Sequence, residues 1–517
     1  MTAQDLKRRK VLQGMGTAIA LPVLGVAPAI IAAPNARPQL LDGVQSGDVT
    51  GDRALIWSRG DRPGRLIVEW DTRSDFGNPR RMVSPVSDAS LDFTARVDLH
   101  GLPAAQSIFY RARFEDADSG VLSEPWLGHL RSAPKQLRDI RFVWGGDTCG
   151  QGFGINPEFG GLRIYETMRK RRPDFFLHSG DVIYADSPIP AEVTAEDGSR
   201  WHNLVTEEKS KVAETLNEFR GNYRYNLLDA NLRAFNAEVP QIWRWGDHEV
   251  TNNWSPGTQL DGRYTVRDID TLVRRARQAY LEYAPMRLAR GDGLGRIYRK
   301  VGYGPLLDVF VLDARSYRGP NTANQQRAQG PETAFFGTEQ LDWLRRELRT
   351  SRATWKVIAA DMPIGLQVPD GPRWEGAANG NDGAALGREL EIAELLASIQ
   401  RDGVRNTLWL TADVHYCAAH YYHPNRAAFE QFEPFWEFVA GPLNAAASFG
   451  TNALDRTFGP EVVFQKAAPT ANSSPRAGYQ FFGEVEIDAQ SETLAVNLYD
   501  LYGTLVFSQT LEPWQPS

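Results

Sequence analysis

"IRFVWGGDTCGQGFG", residues 140–154, joins an apolar run to an aspartate, a cysteine and a glycine-rich turn. A run this short and this apolar reads as a strand buried on both faces, the habit of a parallel sheet covered by helices. The pattern returns four more times. "DFFLHSGDVIY" carries Asp181 and Tyr184, "PQIWRWGDHE" carries Asp247, His248 and Glu249, "WKVIAADMP" carries Asp361, and "NTLWLTADVHY" carries Asp413 and His415. Amphipathic stretches such as "GGLRIYETMRKRR", "DTLVRRARQAYLEYA", "TEQLDWLRRELRTS" and "LGRELEIAELLASIQRDG" lie among them, so the segment reads as an α/β domain. In open α/β sheets the ligand crevice lies at the carboxyl ends of the strands. A single carboxylate after a strand is ordinarily a turn or cap residue. Five in succession, several with a second candidate ligand nearby, point instead to one shared site.

The 517 residues, 42% of them hydrophobic, are enough for two domains and at least one large core. The net charge of −7 makes the chain a poor general binder of nucleic acid or anionic membrane. A phosphate-ester site would therefore need its own cationic centre. The N-terminus, "MTAQDLKRRKVLQGMGTAIALPVLGVAPAIIAAP", has a twin arginine (Arg8, Arg9), then an apolar stretch broken by Gly and Pro, then small residues. That is the layout of a Tat export signal over 1–33, with cleavage after Ala29 or Ala33, and it places the protein in the periplasm or outside the cell. No later segment is long and apolar enough to span a bilayer. Two cysteines are too few for a disulfide framework, which leaves at most one bridge, Cys149 to Cys417.

Over 38–135 short alternating segments such as "RALIWSRG", "GRLIVEWDT" and "SIFYRARFED" are separated by turns, which reads as an antiparallel β-sandwich. It has no cluster of His, Cys and carboxylate and is expected to support the site or approach the substrate. The α/β character runs over 138–511. Within it, Asp186 to Asn222 is charged and weakly periodic and reads as a surface insertion.

The order of these motifs resembles the calcineurin-like metallophosphoesterases. Within them "GDTCGQGFGIN", "HSGDVIYAD", "WGDHEVTNNW" and "TADVHY" look like the PhoD-like alkaline phosphatases and phosphodiesterases, relatives of the purple acid phosphatases. The resemblance implies a four-layer αββα catalytic domain behind a small, fibronectin-III-like β-sandwich. It implies attack on a phosphate ester by a metal-bound hydroxide at a dinuclear centre. Asp181 would bridge two metals, with Tyr184, Asp147, Cys149 and His415 at the first. A neutral tyrosine, of pKa about 10, ligates poorly, so Tyr184 implies an acidic ion such as Fe³⁺. Asp181, Asp247, Asp361 and Asp413 would hold the second metal. Their all-oxygen set favours Ca²⁺, with Mg²⁺, Mn²⁺ or Zn²⁺ as alternatives.

By the same analogy His248 sits beside the leaving group as general acid or phosphate donor. Asn252 and Arg315 are weaker candidates for substrate contact, and for Arg315 or Arg318 an internal pair with Asp313 is an equal alternative. His420 and His423 read as surface or turn histidines. Glu249 is not assigned a catalytic role. Two other functions stay open: a phosphodiesterase or phospholipase D-like enzyme acting on phospholipids or teichoic-acid-like polymers, and a non-catalytic exported calcium-binding, polymer-binding protein. A Gly-x-Ser-x-Gly nucleophile elbow is absent from the sequence.

Overall fold

The computed structural model describes residues 37–288, 295–451 and 453–514, so the segment read as an export signal lies outside the described residues. Two large sheets face each other. The apolar runs of the first three motifs become the parallel strands Ile140–Gly145, Phe175–Ser179 and Gln241–Arg244, neighbours in a nine-stranded sheet. The last two become Trp355–Ala359 and Thr407–Thr411, parallel neighbours in a seven-stranded sheet. Alternation along each strand explains the stacking. Phe142, Trp144, Phe175 and Leu177 of the first sheet meet Val357, Ala359, Leu408 and Leu410 of the second in one apolar layer.

Val143 and Phe176 point the other way, into a cluster with the helices Arg163–Lys170, Leu216–Asn226, Ala230–Glu238 and Ile269–Tyr283. On the far side of the second sheet, Ile358 and Trp409 pack on the helices Thr338–Thr350 and Glu389–Arg401. The result is a mixed α/β fold with helices outside two central sheets, the αββα layering expected from the resemblance.

The N-terminal segment forms a small antiparallel β domain, but not a free-standing one. Gly64–Asp71, Arg80–Ser87, Ser107–Asp116 and Trp126–Arg131 make a four-stranded sheet. Its counterpart, Val44–Gly47, Arg53–Arg59 and Thr94–His100, extends the nine-stranded sheet, joined where Gly47 pairs in parallel with Gln241. A Cβ at Gly47 would lie 2.0 Å from the carbonyl oxygen of Pro285, so only glycine lets the two parts abut there.

The stretch from Asp186 to Asn222 departs from the surface insertion expected of it. Trp201, Lys209, Ala213 and Phe219 are buried, and the helix Leu216–Asn226 starts inside it with a Thr215–Glu218 capping box. Glu192, Asp197, Arg200, Glu207 and Lys211 are exposed as expected, but three of its charges are internal partners. Lys209 Nζ donates to the Asn222 side chain at 2.8 Å, Arg220 pairs with Glu282 at 2.7 Å, and Glu214 accepts the backbone N–H of Thr265 and Val266.

Candidate metal centre

Each of the five strands ends two or three residues before its aspartate, and the loops there bend sharply. Asp147 (φ 68°), Asp181 (φ 51°), Asp413 (φ 74°) and His415 (φ 61°) all sit in the left-handed region. Non-glycine residues occupy it at a cost, and such outliers gather at functional sites. Neighbouring backbone holds them there. Asp147 N–H donates to Gly180 O at 3.3 Å and Thr148 N–H to Asp181 O at 3.0 Å, pinning the first two loops together. The carbonyl of Asp147 accepts from Leu443, Asn444 and Ala445, each at 3.1 Å. Two glycines leave room for the carboxylates: a Cβ on Gly246 would lie 2.1 Å from Asp181 Oδ1, and one on Gly441 2.3 Å from Asp147 Oδ2.

The donor atoms are short of protons to accept. Both oxygens of Asp147, with Oδ1 of Asp247 and Oδ1 of Asp361, are buried without a hydrogen-bond partner among the described residues. Burial pushes Asp147 well above the usual carboxylate range; His248 opposes this and Asp247 adds to it. Burial, then Asp247, does the same for Asp181, and burial with Glu375 and Asp247 does so for Asp413. Tyr184 is raised well above an ordinary phenol by burial and by Asp147 and Asp181. Side chains arranged so that each disfavours its neighbour's charge are what a cation would stabilise. Ligand atoms of Asp181, Asp247 and His248 lie within 4.8 Å of one another. The residues present therefore fit a bound metal cation.

The two histidines are held differently. His415 Nδ1 lies 2.5 Å from Ala446 O, an acceptor only, so that nitrogen carries the proton and Nε2 keeps its lone pair, 2.7 Å from the Tyr184 hydroxyl. Burial lowers the His415 pKa to about 4, which keeps the ring neutral and ligand-ready. His248 Nδ1 instead lies 2.7 Å from Asp186 Oδ1, and its ring stacks on Tyr184 at 4.2 Å between centroids. Burial disfavours its charged form, but Asp186, Asp247 and Asp181 outweigh that and raise its pKa well above the ordinary value. Asp186 also accepts the backbone N–H of Asn252 at 2.9 Å. It stands five residues after Asp181 in "GDVIYAD", visible in the sequence but without a partner to name.

Asp361 differs from the other carboxylates. Its Oδ2 meets Arg315 Nε at 2.8 Å and Arg244 Nη2 at 3.1 Å, and these arginines hold its carboxyl low despite burial. Arg315 also pairs with Glu375, while its Nη2 points without a hydrogen-bond partner toward Asp413 Oδ1 (3.5 Å) and Asp247 Oδ1 (3.8 Å). The internal pairing weighed for Arg315 is thus realised with Asp361 and Glu375 rather than Asp313. Asp313 accepts from Trp245 Nε1 and Ser316. Glu375, in a loop with no periodicity, gave no sequence signal. Asn252 has an exposed side chain, and its backbone is what braces the site. Glu249 is buried and accepts the N–H groups of Asp181, Ile183 and Gly246, a brace for two of the loops.

Cys149 departs from the expected ligand set. Its side chain belongs to the apolar cluster of Ile155, Leu162, Val182 and Ile183. Burial raises its thiol pKa, and the charges acting on it are Lys209 and Asp229, not the carboxylates above. Cys417 lies in the layer between the sheets, and both cysteines are free, so the bridge left open by the sequence is not formed. His420 is likewise not a surface residue: it is fully buried, with Nδ1 3.0 Å from Glu437. His423 is a turn residue whose side chain accepts from Asn425 N–H.

The family model for the PhoD-like phosphatases matches residues 142–498, and the model for their N-terminal domain matches 25–134. The chain belongs to the PhoD-like phosphatase family. It is 28% identical over 448 residues to alkaline phosphatase D of Bacillus subtilis (strain 168), covering 79% of this chain and 71% of that protein. Among solved structures, that of PhoD superposes with a TM-score of 0.68 at 20% identity, covering 93% of each chain. The purple acid phosphatase PPD1 from yellow lupin seeds gives 0.56 at 13% identity, covering 92% of this chain and 74% of that one. At these identities the two structures speak for the fold.

Replacing Cys149 with Ser tests its place. The expected result is unchanged metal content and visible absorption with a lower Tm, since a hydroxyl left unpaired in an apolar core costs about 1–3 kcal/mol. Loss of metal or a shifted absorption band would return Cys149 to the ligand set.

Proposed function

We propose that this chain is an exported, metal-dependent alkaline phosphatase that hydrolyses phosphate esters at a dinuclear centre. The observation that carries the reading is the group of buried carboxylates whose oxygens, those of Asp147 above all, lack donors. Asp147, Tyr184 and His415 would hold one ion, Asp247 and Asp413 the other, and Asp181 both. A tyrosine and a histidine in the first set favour Fe³⁺, and the oxygen-only second set favours Ca²⁺. Asp361, engaged by two arginines, is the weakest of the ligands first considered. When bound, such ions supply positive charge for the phosphoryl oxygens and acidify a water molecule.

The chain's own residues do the rest. His248, kept protonated by Asp186, gives its Nε2 proton to the departing oxygen. Arg315 Nη2, without a hydrogen-bond partner but 3.5 Å from Asp413, would donate to a phosphate oxygen held beside that carboxylate. Among the described residues no helix is long and apolar enough to cross a membrane. The twin arginine of the N-terminal segment supports export through the Tat translocase to the periplasm or beyond.

Changing Asp181 to Asn is expected to lower turnover of a chromogenic phosphomonoester and of a diester by at least about 100-fold. Retained activity on both would end the reading, and the ratio of the two rates in the unaltered enzyme separates monoesterase from diesterase.

Asp186→Asn removes one of the charges that raise the His248 pKa, so His248 loses its proton at a lower pH. Activity should fall about 10- to 100-fold, with the alkaline limb of kcat/KM moved toward acid and metal content unchanged. An unmoved limb would remove His248 from acid catalysis. Arg8→Lys with Arg9→Lys should leave the enzyme in the cytoplasm, and continued export would exclude the Tat route.

A further inference from the structure

The strand Phe175–Ser179 leads toward the metal centre at one end, and at its other end lies a recess the proposed reaction does not use. This cavity of about 400 Å³ opens between the N-terminal β domain and the catalytic sheet, where Pro173 and Asp174 precede the strand. Five residues at roughly 3.3 Å each separate it from the Asp181 loop by about 17 Å, beyond the span of one small phosphate ester.

Its lining is basic in a chain of net charge −7. Arg131 enters from the last strand of the β domain, Lys170 and Arg172 from the end of the helix Arg163–Lys170, and His129 sits beside Arg131. The two acidic residues of the lining are already matched: Asp174 by Arg138 at 2.9 Å and Glu238 by Arg169 at 2.8 Å. Lys170 reaches only Glu166, at 3.5 Å, while Arg131 and Arg172 have no ion pair among the described residues.

Bases at the end of a helix suit its dipole, which accounts for Lys170 on its own. It does not account for Arg131, which comes from another domain and faces the same recess. Nor does it account for the backbone of Arg172, held at φ 53° just past the helix, where glycine ordinarily ends helices. Arg172 is exposed and borders the recess, so this turn sets a third cation at the rim beside Arg131 and Lys170.

We propose that this recess binds a multiply charged phosphate anion through Arg131, Lys170 and Arg172, apart from the metal centre. The ligand chemistry is shared by free phosphate and by a chain of linked phosphates. Both are titrated calorimetrically, as inorganic phosphate and as linear polyphosphate, into the full chain carrying Asp181→Asn to silence hydrolysis.

Adding Arg131→Ser, Lys170→Ser and Arg172→Ser is expected to weaken the affected ligand about tenfold or more. An equal loss of charge on another face, Arg346→Ser, Arg349→Ser and Arg401→Ser, should leave affinity within about twofold. Weakening of both ligands identifies a free-phosphate site, and weakening of polyphosphate alone identifies a docking site for a phosphate polymer. Equal weakening by both sets of substitutions, or by neither, overturns the proposal. Arg131→Ser alone, off the helix, must show the same direction of change with an unaltered Tm. Because binding is read without turnover, failure here leaves the phosphatase reading standing, and the reverse holds too.

Discussion

Arg244 crosses from one sheet to the other with no exposed side-chain surface. Its guanidinium, at the end of the strand Gln241–Arg244, donates to Ser179 O at 2.7 Å and Trp245 O at 2.6 Å in the first sheet's loops. From there it reaches Leu312 O at 3.2 Å and the Asp361 carboxylate at 3.1 Å in the second. A buried charge is tolerable only when fully engaged, and losing one partner leaves the other stranded. This arginine therefore fixes how the carboxyl edges of the two sheets meet, and the loops bearing Asp147, Asp181, Asp247, Asp361 and Asp413 inherit that spacing.

The rest of the site is arranged around the excess of negative charge that this meeting creates. Arg315 and Arg244 neutralise Asp361 and Glu375 on one flank, and Arg315 also reaches Asp413 at 3.5 Å, while Asp147 and Asp181 have no lysine or arginine ion pair among the described residues. The left-handed turns at Asp147, Asp181, Asp413 and His415 carry a backbone cost, and the hydrogen bonds accepted by the Asp147 carbonyl and by the Glu249 carboxylate help offset it. Glu249 illustrates the division of labour. It sits beside the chemistry, yet its oxygens are filled by three backbone N–H groups, which leaves it a scaffold.

The catalytic fold was legible because its signals are local. Buried parallel strands are short apolar runs, and each ended at an aspartate that could be read without knowing what lay opposite. The N-terminal segment was legible as alternating strands, but alternation says which face is buried and not which sheet a strand joins. Half of that module is an extension of the nine-stranded sheet, a pairing settled at Gly47 and Gln241. The charged stretch before the helix Leu216–Asn226 misled for a related reason. Lys209, Glu214 and Arg220 look solvated until their distant partners are known.

Taken alone, the sequence determined five acidic strand ends, the metal-capable residue types at them, and through those the kind of centre to expect. Chain order and periodicity are enough for that. Only the tertiary structure decided that Cys149 turns into the core, that His420 is buried against Glu437, that Asp361 is held by two arginines, and that Asp186 orients His248. Each of these depends on which side chains from separate segments of the chain come within a few ångströms of one another. That is fixed by how the sheets stack and not by the spacing of residues along either one.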